Sequence, residues 1–400
     1  MTLFYNFCHI VSWAVFIYLA ANSVYLFILA LCGLLISGKS YSAKSEKFTF
    51  AILIPCYKED LIIQDTAKHA RHHDFPANRF SVTVIADKLK PETIQLLKEI
   101  PVLVMEVDLN MKSRSIHAAL ESMDVMKADI VMILDADNIM GPGCLDIINS
   151  AFHNGLVAVQ CHRTAKNKNT SVALLDAISE EININLFRRG PSVAGLSAAP
   201  IGSGMAFRTD LIREIFSTNE ILSNPGEDRE IDMQLMRRKI KMEFLDNALV
   251  FDEKVTSAGI FEKQRVRWLE AQVNHVRRFF DQDMKSAPRT FLYYNKFFQN
   301  LLLPRVLILV VFCLMFLIIL FQKLIQIPFI QPTSVYWIIV MGLYFLTLII
   351  SIPRIFYNVQ TLIALSHIPL LMFTMVKAVF QMKKKRNEFI HTPKSFTADK

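Results

Sequence analysis

Cysteine and charge are both scarce in this sequence. The chain of 400 residues has six cysteines and no pair in C-x-x-C spacing, which excludes a disulfide scaffold and a zinc-finger framework. Charged residues make up only 20% and hydrophobic residues 52%, and the mean hydropathy is +0.33. The chain is therefore more apolar than an ordinary soluble enzyme, and its 30 phenylalanines exclude a disordered chain.

Acidic residues are fewer than basic ones, 36 against 44, so the net charge is +8. This excess suits nucleic acid, an anionic membrane face or phosphorylated substrates, and composition does not choose among them. At ~100–200 residues per domain, the length indicates two or three structural units.

The first 38 residues contain no Lys, Arg, Asp or Glu. Residues 11–36 are long enough to cross a hydrocarbon core of ~30 Å. They lack the positive n-region and short apolar stretch of a cleaved signal peptide, so a permanent anchor is expected. Three more uncharged stretches follow, at 306–322, 324–353 and 355–376. We predict an anchor (1–38), a cytoplasmic domain (39–285), interfacial and transmembrane helices (286–382) and a cytoplasmic tail (383–400).

Basic residues near the spans predict their orientation. Lys39, Lys44 and Lys47 follow the first span and no Lys or Arg precedes it, so the soluble domain should be cytoplasmic, at the inner or plasma membrane. Four full crossings would place the basic run at 383–386 outside, against the same rule. The fourth apolar segment is also the most polar of the set. We therefore predict three crossings and one helix lying in the interface.

The region between the apolar segments has an α/β pattern. Short apolar strands alternate with helices, which predicts a Rossmann-like, mostly parallel sheet with helices on both faces. In such sheets ligands bind beyond the carboxyl ends of the strands. The predicted strands are 48–55, 81–86, 102–107 and 130–134, and the predicted helices are 60–71, 91–99 and 111–126.

Two aspartates follow the fourth predicted strand. Asp135 and Asp137 are separated by one residue, so their carboxylates can serve one hard cation such as Mg²⁺ or Mn²⁺ bound to a diphosphate. The alternative is that one of them caps the helix after Pro142.

Two acids, Glu227 and Asp228, follow a turn and begin a predicted helix. They suit a general base, although acids in a first helical turn also stabilise the helix dipole.

Two further segments have both a functional and a structural interpretation. Gln264, Arg267 and Trp268 lie on a basic helix near the membrane segments, where Arg267 could neutralise a phosphate and Trp268 could face a sugar. A solvated basic face near lipid headgroups, with the tryptophan packed inward, is the alternative. The Gly202-Ser203-Gly204 segment is either part of an acceptor pocket or a tight turn that needs glycine.

The order of these motifs resembles the family 2 glycosyltransferases of the cellulose, hyaluronan and poly-N-acetylglucosamine synthase type. The resemblance covers roughly residues 48–268 by motif and most of the chain by layout. It implies an A-type glycosyltransferase domain inserted between transmembrane helices, a nucleotide-sugar donor (UDP being the usual carrier) and Mg²⁺ or Mn²⁺. The matching residues are Pro55, Tyr57, Glu59, Asp87, Lys112, Asp135, Asp137, Glu227, Asp228, Gln264, Arg267 and Trp268.

The resemblance also implies roles for these positions. Asp137 would be the more direct metal ligand beside Asp135, and Asp228 would be the base. Arg267 and Trp268 would serve the diphosphate and acceptor ends, and residues 202–204 would form part of the acceptor pocket. The nucleotide would contact Pro55, Tyr57, Glu59, Asp87, Lys112 and Asp135.

The tail adds one more similarity. Residues 389–394 look like the F-x-V-T-x-K gating loop of cellulose synthases, with His391 in place of valine. That loop is cytoplasmic and closes over the nucleotide, which agrees with the topology predicted from charge. Thr392 and Lys394 would therefore contact the nucleotide and exclude water.

The expected activity is inverting sugar transfer to a growing polysaccharide, with a channel partner or homo-oligomer because three crossings enclose little space. The alternative is a lipid glycosyltransferase acting on a ceramide- or polyprenyl-type acceptor. A membrane transporter or scaffold would place ionisable residues in the middle of its spans, and only His367 and Lys377 come close. A nucleic-acid-binding module is disfavoured by the two acid pairs.

Overall fold

The computed structural model of the protein describes residues 2–382, except 225, 255–257 and 286. Its strands are β1 (Phe50–Tyr57), β2 (Phe80–Asp87), β3 (Leu103–Val107), β4 (Ile130–Ile133), β5 (Ile139–Met140), β6 (Ala158–Ala165), β7 (Met205–Arg208) and β8 (Glu243–Asp252). The predicted gating loop, with Thr392 and Lys394, lies outside the described residues.

The helices alternate with the strands in the first half of the chain and follow one another in the second. They are α1 (Thr2–Leu35), α2 (Ile63–Arg71), α3 (Pro91–Lys98), α4 (Lys112–Leu120), α5 (Met123–Met126), α6 (Cys144–His153), α7 (Ser171–Ile184), α8 (Gly190–Val193), α9 (Thr209–Phe216), α10 (Asn219–Leu222), α11 (Glu227–Arg237), α12 (Ala258–Arg278), α13 (Gln282–Lys285), α14 (Phe291–Leu301), α15 (Arg305–Ile325), α16 (Ser334–Ile350), α17 (Val359–Leu365) and α18 (Ile368–Phe380). A π-helical turn, Asn185–Arg189, joins α7 to α8.

The strands form one mixed sheet in the order β3-β2-β1-β4-β7-β6-β8-β5. The predicted parallel arrangement holds for β1 to β4. Beyond β4 it is incomplete, because β7 runs antiparallel to both β4 and β6, and β5 runs antiparallel to β8. The predicted helix 111–126 is also interrupted, since α4 ends at Leu120 and α5 begins at Met123.

Strand β1 is apolar along its length because both faces of the sheet are covered. Phe50, Ile52 and Ile54 pack into a core with α2 and α6. Ala51 and Leu53 point the other way, into a core with α4, α9 and α11. This alternation is the period-2 geometry of a strand buried on both faces. The covered sheet is a rigid base for the loops at its carboxyl edge.

Within the described residues, two helices are long and apolar enough to cross a membrane, Tyr5–Leu35 and Arg305–Ile325. The third predicted crossing forms α16, which has 17 residues. The fourth apolar segment divides into α17 and α18, bent by 45°, and counts as a third candidate span if the pair is one crossing. Three crossings plus an interfacial helix therefore stays a prediction.

The membrane-type helices pack into a filled core. Trp337 and Tyr344 on α16 are fully buried. The Trp337 ring contacts Phe16 of α1, with centroids 5.2 Å apart, and the Tyr344 ring contacts Phe312 of α15 at 5.3 Å. These large side chains occupy space among α1, α15 and α16, so apolar ring contacts join the three helices.

Helix α1 also docks closely on the chain after α7. A Cβ atom at Gly190 would lie 2.2 Å from the carbonyl oxygen of Leu29, and one at Gly33 would meet the side chain of Asn185. The Asn185 amide donates to the Ser351 hydroxyl at 3.0 Å. Glycine is needed at both positions because the backbones approach more closely than a side chain permits.

Helix α7 connects the sheet to α12 and α15 through polar contacts of residues between 176 and 181. Asp176 pairs with Arg265 of α12 at 2.6 Å, and Ser179 accepts from Arg305, the first residue of α15, at 2.6 Å through its carbonyl. The next two residues contact the sheet: Glu180 pairs with Arg163 and Lys254, and Glu181 pairs with His162 and accepts from Thr164.

Candidate active site

The carboxyl ends of β1 and β2 bring the predicted nucleotide residues together. In the parallel register Tyr57 pairs with Asp87. The residues that follow, Lys58 and Lys88, both have φ of 58°, and the Lys58 N–H donates to the Asp87 carbonyl at 3.1 Å. These left-handed residues end the strands sharply. Tyr57, Asp87 and their neighbours Pro55 and Glu59 therefore lie at one edge of the sheet.

Asp87 is a buried acid in which one carboxylate oxygen accepts hydrogen bonds from the protein. Its side chain is almost fully buried, and Oδ2 accepts from the Asn110 N–H at 2.7 Å and from the Ser115 hydroxyl at 3.5 Å. Its Oδ1 atom is buried without a hydrogen-bond partner within the part of the chain that the structure describes. Because an unsatisfied buried oxygen is costly, this atom is suited to accept a bond from a ligand.

Lys112, at the start of α4, links three segments that are far apart in sequence. Its Nζ lies 2.6 Å from Asp135 Oδ1, 2.8 Å from Glu227 Oε1 and 2.7 Å from the Gly202 carbonyl oxygen. Burial lowers the pKa of Lys112, but the two carboxylates outweigh burial and hold it above its usual value. The lysine is therefore a fixed cation between the first aspartate of the D-x-D sequence and the acid pair.

Glu227 is buried at the same point. Burial raises the pKa of Glu227, and the neighbouring Asp228 and Asp135 carboxylates raise it further, against the lowering effect of Lys112. Asp228 is partly exposed and lies beside this pair. Its Oδ1 accepts from the N–H of Arg229 at 2.8 Å. The two adjacent acids therefore differ: Glu227 is buried and paired with Lys112, whereas Asp228 is partly exposed.

Asp135 and Asp137 are held in place by backbone and side-chain contacts. The Asp135 N–H donates to Ser203 Oγ at 2.8 Å, and Asn138 Nδ2 donates to the same oxygen at 2.9 Å. Asp137 is buried, and its Oδ2 accepts from the Glu253 N–H at 3.1 Å. Ser203 thus orients the D-x-D turn from the opposite loop.

The donor set fits a hard divalent cation. No group of three or more acid, histidine or cysteine ligands occurs in the described ranges. Mg²⁺ is usually bound through one or two carboxylates plus substrate phosphates rather than by a complete protein cage. Asp135 and Asp137 supply the two carboxylates, so this edge of the sheet suits a cation that arrives with a diphosphate.

The backbone of the Gly202–Gly204 loop lies close to the side chains of Lys112 and Glu227. Gly202 has φ of +84° and Gly204 has φ of +63°, a region that favours glycine. A Cβ atom at Gly202 would lie 3.5 Å from Glu227 Oε1 and 3.6 Å from Lys112 Nζ. Buried Gln160 anchors the loop, since its Nε2 donates to the carbonyl oxygen of Ser203 at 2.9 Å and its Oε1 accepts from the Ile201 N–H at 3.0 Å.

Helix α12 contains a buried arginine that sequence reasoning missed. The Arg265 guanidinium lies 4.2 Å from the Phe261 ring centroid and 4.1 Å from that of Trp268, and it pairs with Asp176. The sequence signal was the placement of aromatic residues four positions before and three after it, on one helix face. Trp268 is 38% exposed, so its ring is not packed inward. The side-chain oxygen Oε1 of Gln264 is buried without a hydrogen-bond partner among the described atoms.

The sequence matches a family model described as "Glycosyltransferase like family 2" over residues 48–271, more than half of the chain. The chain belongs to this family. No curated protein sequence matches it. The family 2 glycosyltransferase has the A-type fold of a mixed, Rossmann-like α/β sheet.

Solved structures are similar to this chain at low sequence identity, and the first of them shares its fold with a TM-score above 0.5. The mannosyltransferase PcManGT from Pyrobaculum calidifontis, solved with GDP-Man and Mn²⁺, is 14% identical with a TM-score of 0.55, and the match covers 91% of this chain and 98% of that one. Glucosyl-3-phosphoglycerate synthase from Mycobacterium tuberculosis is 12% identical with a TM-score of 0.40, covering 60% and 87%. S. aureus TarS 1-349 is 11% identical with a TM-score of 0.40, covering 84% and 93%.

The structure of this glycosyltransferase thus brings most of the predicted residues to one edge of its sheet. Tyr57, Asp87, Lys112, Asp135 and Asp137 follow strand ends or begin α4, and Gly202, Ser203, Glu227 and Asp228 contact Lys112 or its partners. Gln264, Arg267 and Trp268 lie together on α12. Sequence reasoning passed over Asn138, Gln160 and Arg265, which hold the site residues.

Proposed function

We propose that this protein is an inverting glycosyltransferase that moves a sugar from a nucleotide-sugar to the hydroxyl of a growing polysaccharide at the membrane. The resemblance to the family 2 synthases favours UDP as the nucleotide of the donor. The observation that carries the proposal is the position of Lys112 between Asp135 and Glu227, at 2.6 and 2.8 Å. It joins the D-x-D turn, suited to the donor diphosphate, to the turn that carries Asp228. Donor and acceptor groups would therefore meet within one small site.

At the donor end, Asp87 Oδ1 would accept a bond from the base or ribose, beside Pro55, Tyr57 and Glu59. Asp135 and Asp137 would hold Mg²⁺ or Mn²⁺, with Asp137 the more direct ligand, and the Mn²⁺ in the structure of PcManGT, which shares the fold, supports this choice. The cation would neutralise charge on the leaving diphosphate. Lys112 and Arg267 would add positive charge on the protein side.

At the acceptor end, Asp228 would be the general base. Glu227 is less suited to this role because its carboxylate is committed to Lys112 at 2.8 Å. Asp228 would take the proton of the acceptor hydroxyl as that oxygen attacks the anomeric carbon, and the bond to the nucleotide diphosphate would break on the opposite face. The exposed face of Trp268, with Gln264 and the Gly202–Gly204 loop, would position the acceptor sugar.

The remaining parts of the proposal rest on the resemblance. Thr392 and Lys394 would close over the nucleotide, and the division into anchor, cytoplasmic domain, membrane part and tail would place the site at the cytoplasmic face. A polysaccharide product would need a channel partner or a second copy, because the core among α1, α15 and α16 is filled by Trp337 and Tyr344.

A lipid acceptor is the second candidate. The filled bundle favours it, because transfer of one sugar to a ceramide- or polyprenyl-type acceptor at the interface requires no passage for a polymer. Both candidates share the donor, the cation and the base. They differ in the length and the anchor of the product.

The test is sugar transfer by the full-length protein purified in detergent, with UDP- and GDP-sugars, Mn²⁺ or Mg²⁺ and membrane lipid. Long polymer is expected, and Asp228→Asn should reduce its formation at least about 100-fold. Asp210→Asn is the matched control, because Asp210 is also the second residue of its helix but is exposed on α9. A single-sugar glycolipid would establish the second candidate. No cation-dependent release of nucleotide from any donor would overturn both.

A further inference from the structure

His275 lies on α12, seven residues after Trp268 and on the same face, because seven residues make two helical turns. Its side chain is 1% exposed. Nδ1 lies 2.7 Å from the Ala271 carbonyl oxygen. A carbonyl oxygen can only accept, so Nδ1 carries the proton, and the neutral ring presents Nε2 as an acceptor.

The acceptor nitrogen contacts the acid turn, which consists of Asn224, Gly226, Glu227 and Asp228. Asn224 Nδ2 lies 3.4 Å from His275 Nε2 and donates to it. The amide oxygen of Asn224 then accepts from the Gly226 N–H at 2.9 Å. Because Nδ2 is committed to the histidine, the amide can present only its oxygen to Gly226. Hydrogen bonds in series therefore connect α12 to the residue that precedes the acid pair.

The same ring also packs against the acid turn. A Cβ atom at Gly226 would lie 3.4 Å from His275 Cε1 and 3.8 Å from the Ala271 Cβ. Gly226 is the residue immediately before α11, and its carbonyl accepts from the Glu230 N–H at 3.3 Å. The direction in which α11 leaves the turn, and with it the placement of Glu227 and Asp228, depends on this contact.

The protonation state of His275 agrees with this arrangement. Burial and the Arg229 guanidinium lower the pKa of His275 to about 4, against the raising effects of the Ala271 carbonyl, Asp228 and Glu230. At neutral pH the ring is therefore uncharged. A second proton would sit on Nε2 and face the Asn224 amide, so the neutral form is the one that the hydrogen bonds require.

We infer that His275 is a positioning residue for the general base: through Asn224 it holds the acid turn in the orientation that directs Asp228 at the acceptor hydroxyl. Its effect on sugar transfer rests on the function proposed above, whereas its effect on the order of the acid turn does not. The helix that carries Gln264, Arg267 and Trp268 would then also support the base, so one rigid element would place both the acceptor-binding side chains and the acid that activates the acceptor.

The test combines amide hydrogen exchange of residues 224–229 with steady-state transfer kinetics on the full-length protein. His275→Leu keeps bulk and loses the acceptor, so exchange of this segment should rise about tenfold, as for one lost hydrogen bond. The kcat should fall about 10- to 100-fold with KM for the nucleotide-sugar within about twofold, because the base is misplaced while the donor site is intact. His275→Gln retains an acceptor and should restore most of both.

Two further variants separate positioning from general damage. His153→Leu is the matched control, since that ring contacts the Glu46 carbonyl at 3.1 Å on distant α6, and it should leave exchange of the acid turn and kcat unchanged. Asn224→Ala should reproduce the loss, and adding His275→Leu to it should cost less than about twofold more, because the two residues act in series. Should the leucine variant not fold, the glutamine and Asn224 variants carry the same comparison.

Each result decides a different point. Unchanged exchange of residues 224–229 in His275→Leu would overturn the positioning role whether or not the protein transfers sugar. Faster exchange with an unchanged kcat would remove the role in the reaction. Faster exchange in His275→Leu, combined with a wild-type protein that transfers no sugar from any donor, would overturn the proposed function and leave the structural support of the acid turn in place.

Discussion

The ammonium group of Lys112 lies 2.8 Å from the Oε1 atom of Glu227, and both side chains are largely enclosed. The two residues are on different helices, and the same ammonium also reaches Asp135. A cation shared between the D-x-D turn and the acid turn means that a change on one side of the site alters the charge felt on the other.

Lys112→Met should therefore damage both activity and stability. It leaves the buried Glu227 carboxylate unpaired, which costs about 3–5 kcal/mol for a broken buried pair, and it removes a positive charge beside the donor. We expect at least about 100-fold lower transfer and a clearly lower thermal midpoint in detergent. Adding Glu227→Gln should recover part of the midpoint and none of the activity.

Lys98→Met is the control for that prediction. Lys98 forms an ion pair with Glu106 at the same kind of distance, 2.9 Å, but both side chains are more than half exposed. Exposed pairs contribute about 0–1 kcal/mol, so both measurements should stay near wild type. A Lys112→Met protein with a wild-type midpoint would contradict the role assigned to the contact.

Asp137→Asn tests the proposed cation site. The amide oxygen can still accept from the Glu253 N–H, so the fold should persist, but the ligand charge is lost. We expect transfer to fall about 100-fold and the half-saturating Mn²⁺ concentration to rise at least about tenfold. A chelator should abolish transfer by the wild type, and added Mn²⁺ should restore it. Transfer that is indifferent to both treatments would exclude the proposed site.

Stability should decline in alkali because of His162. Burial lowers the pKa of His162, but Asp246 and Glu181 outweigh burial and raise it from 6.5 to about 9. The imidazolium is therefore stabilised in the folded protein. Its contribution is complete below pH 6.5 and is lost as the pH rises through about 9, and the shift corresponds to about 3 kcal/mol.

The measurement is the thermal midpoint in detergent at pH 6 and pH 9.5. The wild type should lose several degrees more than His162→Gln between these values. His153→Gln is the control, since that ring contacts a backbone carbonyl rather than carboxylates, and it should behave as the wild type does. Equal losses in the wild type and His162→Gln would show that other groups cause the alkaline decline.

Gly190→Ala tests the docking of α1. The new methyl group would overlap the Leu29 carbonyl, with 2.2 Å between the atoms, so α1 must shift or the turn must open at a cost of about 1–3 kcal/mol. We expect a lower yield of monodisperse protein and a lower midpoint. Gly342→Ala on α16 is the control, because a Cβ there meets nothing within 4 Å. Similar behaviour of the two variants would show that the close approach is unimportant.

The first half of the sheet was predictable from sequence because its strands are short and mostly apolar, and β1, β2 and β3 are each followed by a helix. The second half was not. β7 has only four residues, and β8 carries Asp246 and Asn247 within its run, so neither shows a clear strand period. Their antiparallel pairings depend on contacts between segments far apart in the chain.

For the candidate site, too, local positions were predictable from the sequence and contacts between distant segments were not. Strand ends indicated Asp87, Asp135 and Asp137, since the position of a residue past a strand is a local property. Nothing local indicates that Lys112 reaches Glu227, or that Arg265 pairs with Asp176 of α7. These facts follow from how helices pack on the sheet, which single-sequence patterns do not specify.

Helix α7 joins two parts of the protein that would experience different surroundings. Asp176 and Ser179 hold the arginines of α12 and α15, and the next two residues, Glu180 and Glu181, hold residues of the sheet. A tilt of the apolar helices would therefore pull on the frame of the active site through ion pairs rather than through a flexible linker. With α1 and α15 crossing a membrane, as proposed above, the thickness of the bilayer should accordingly change the turnover of the enzyme.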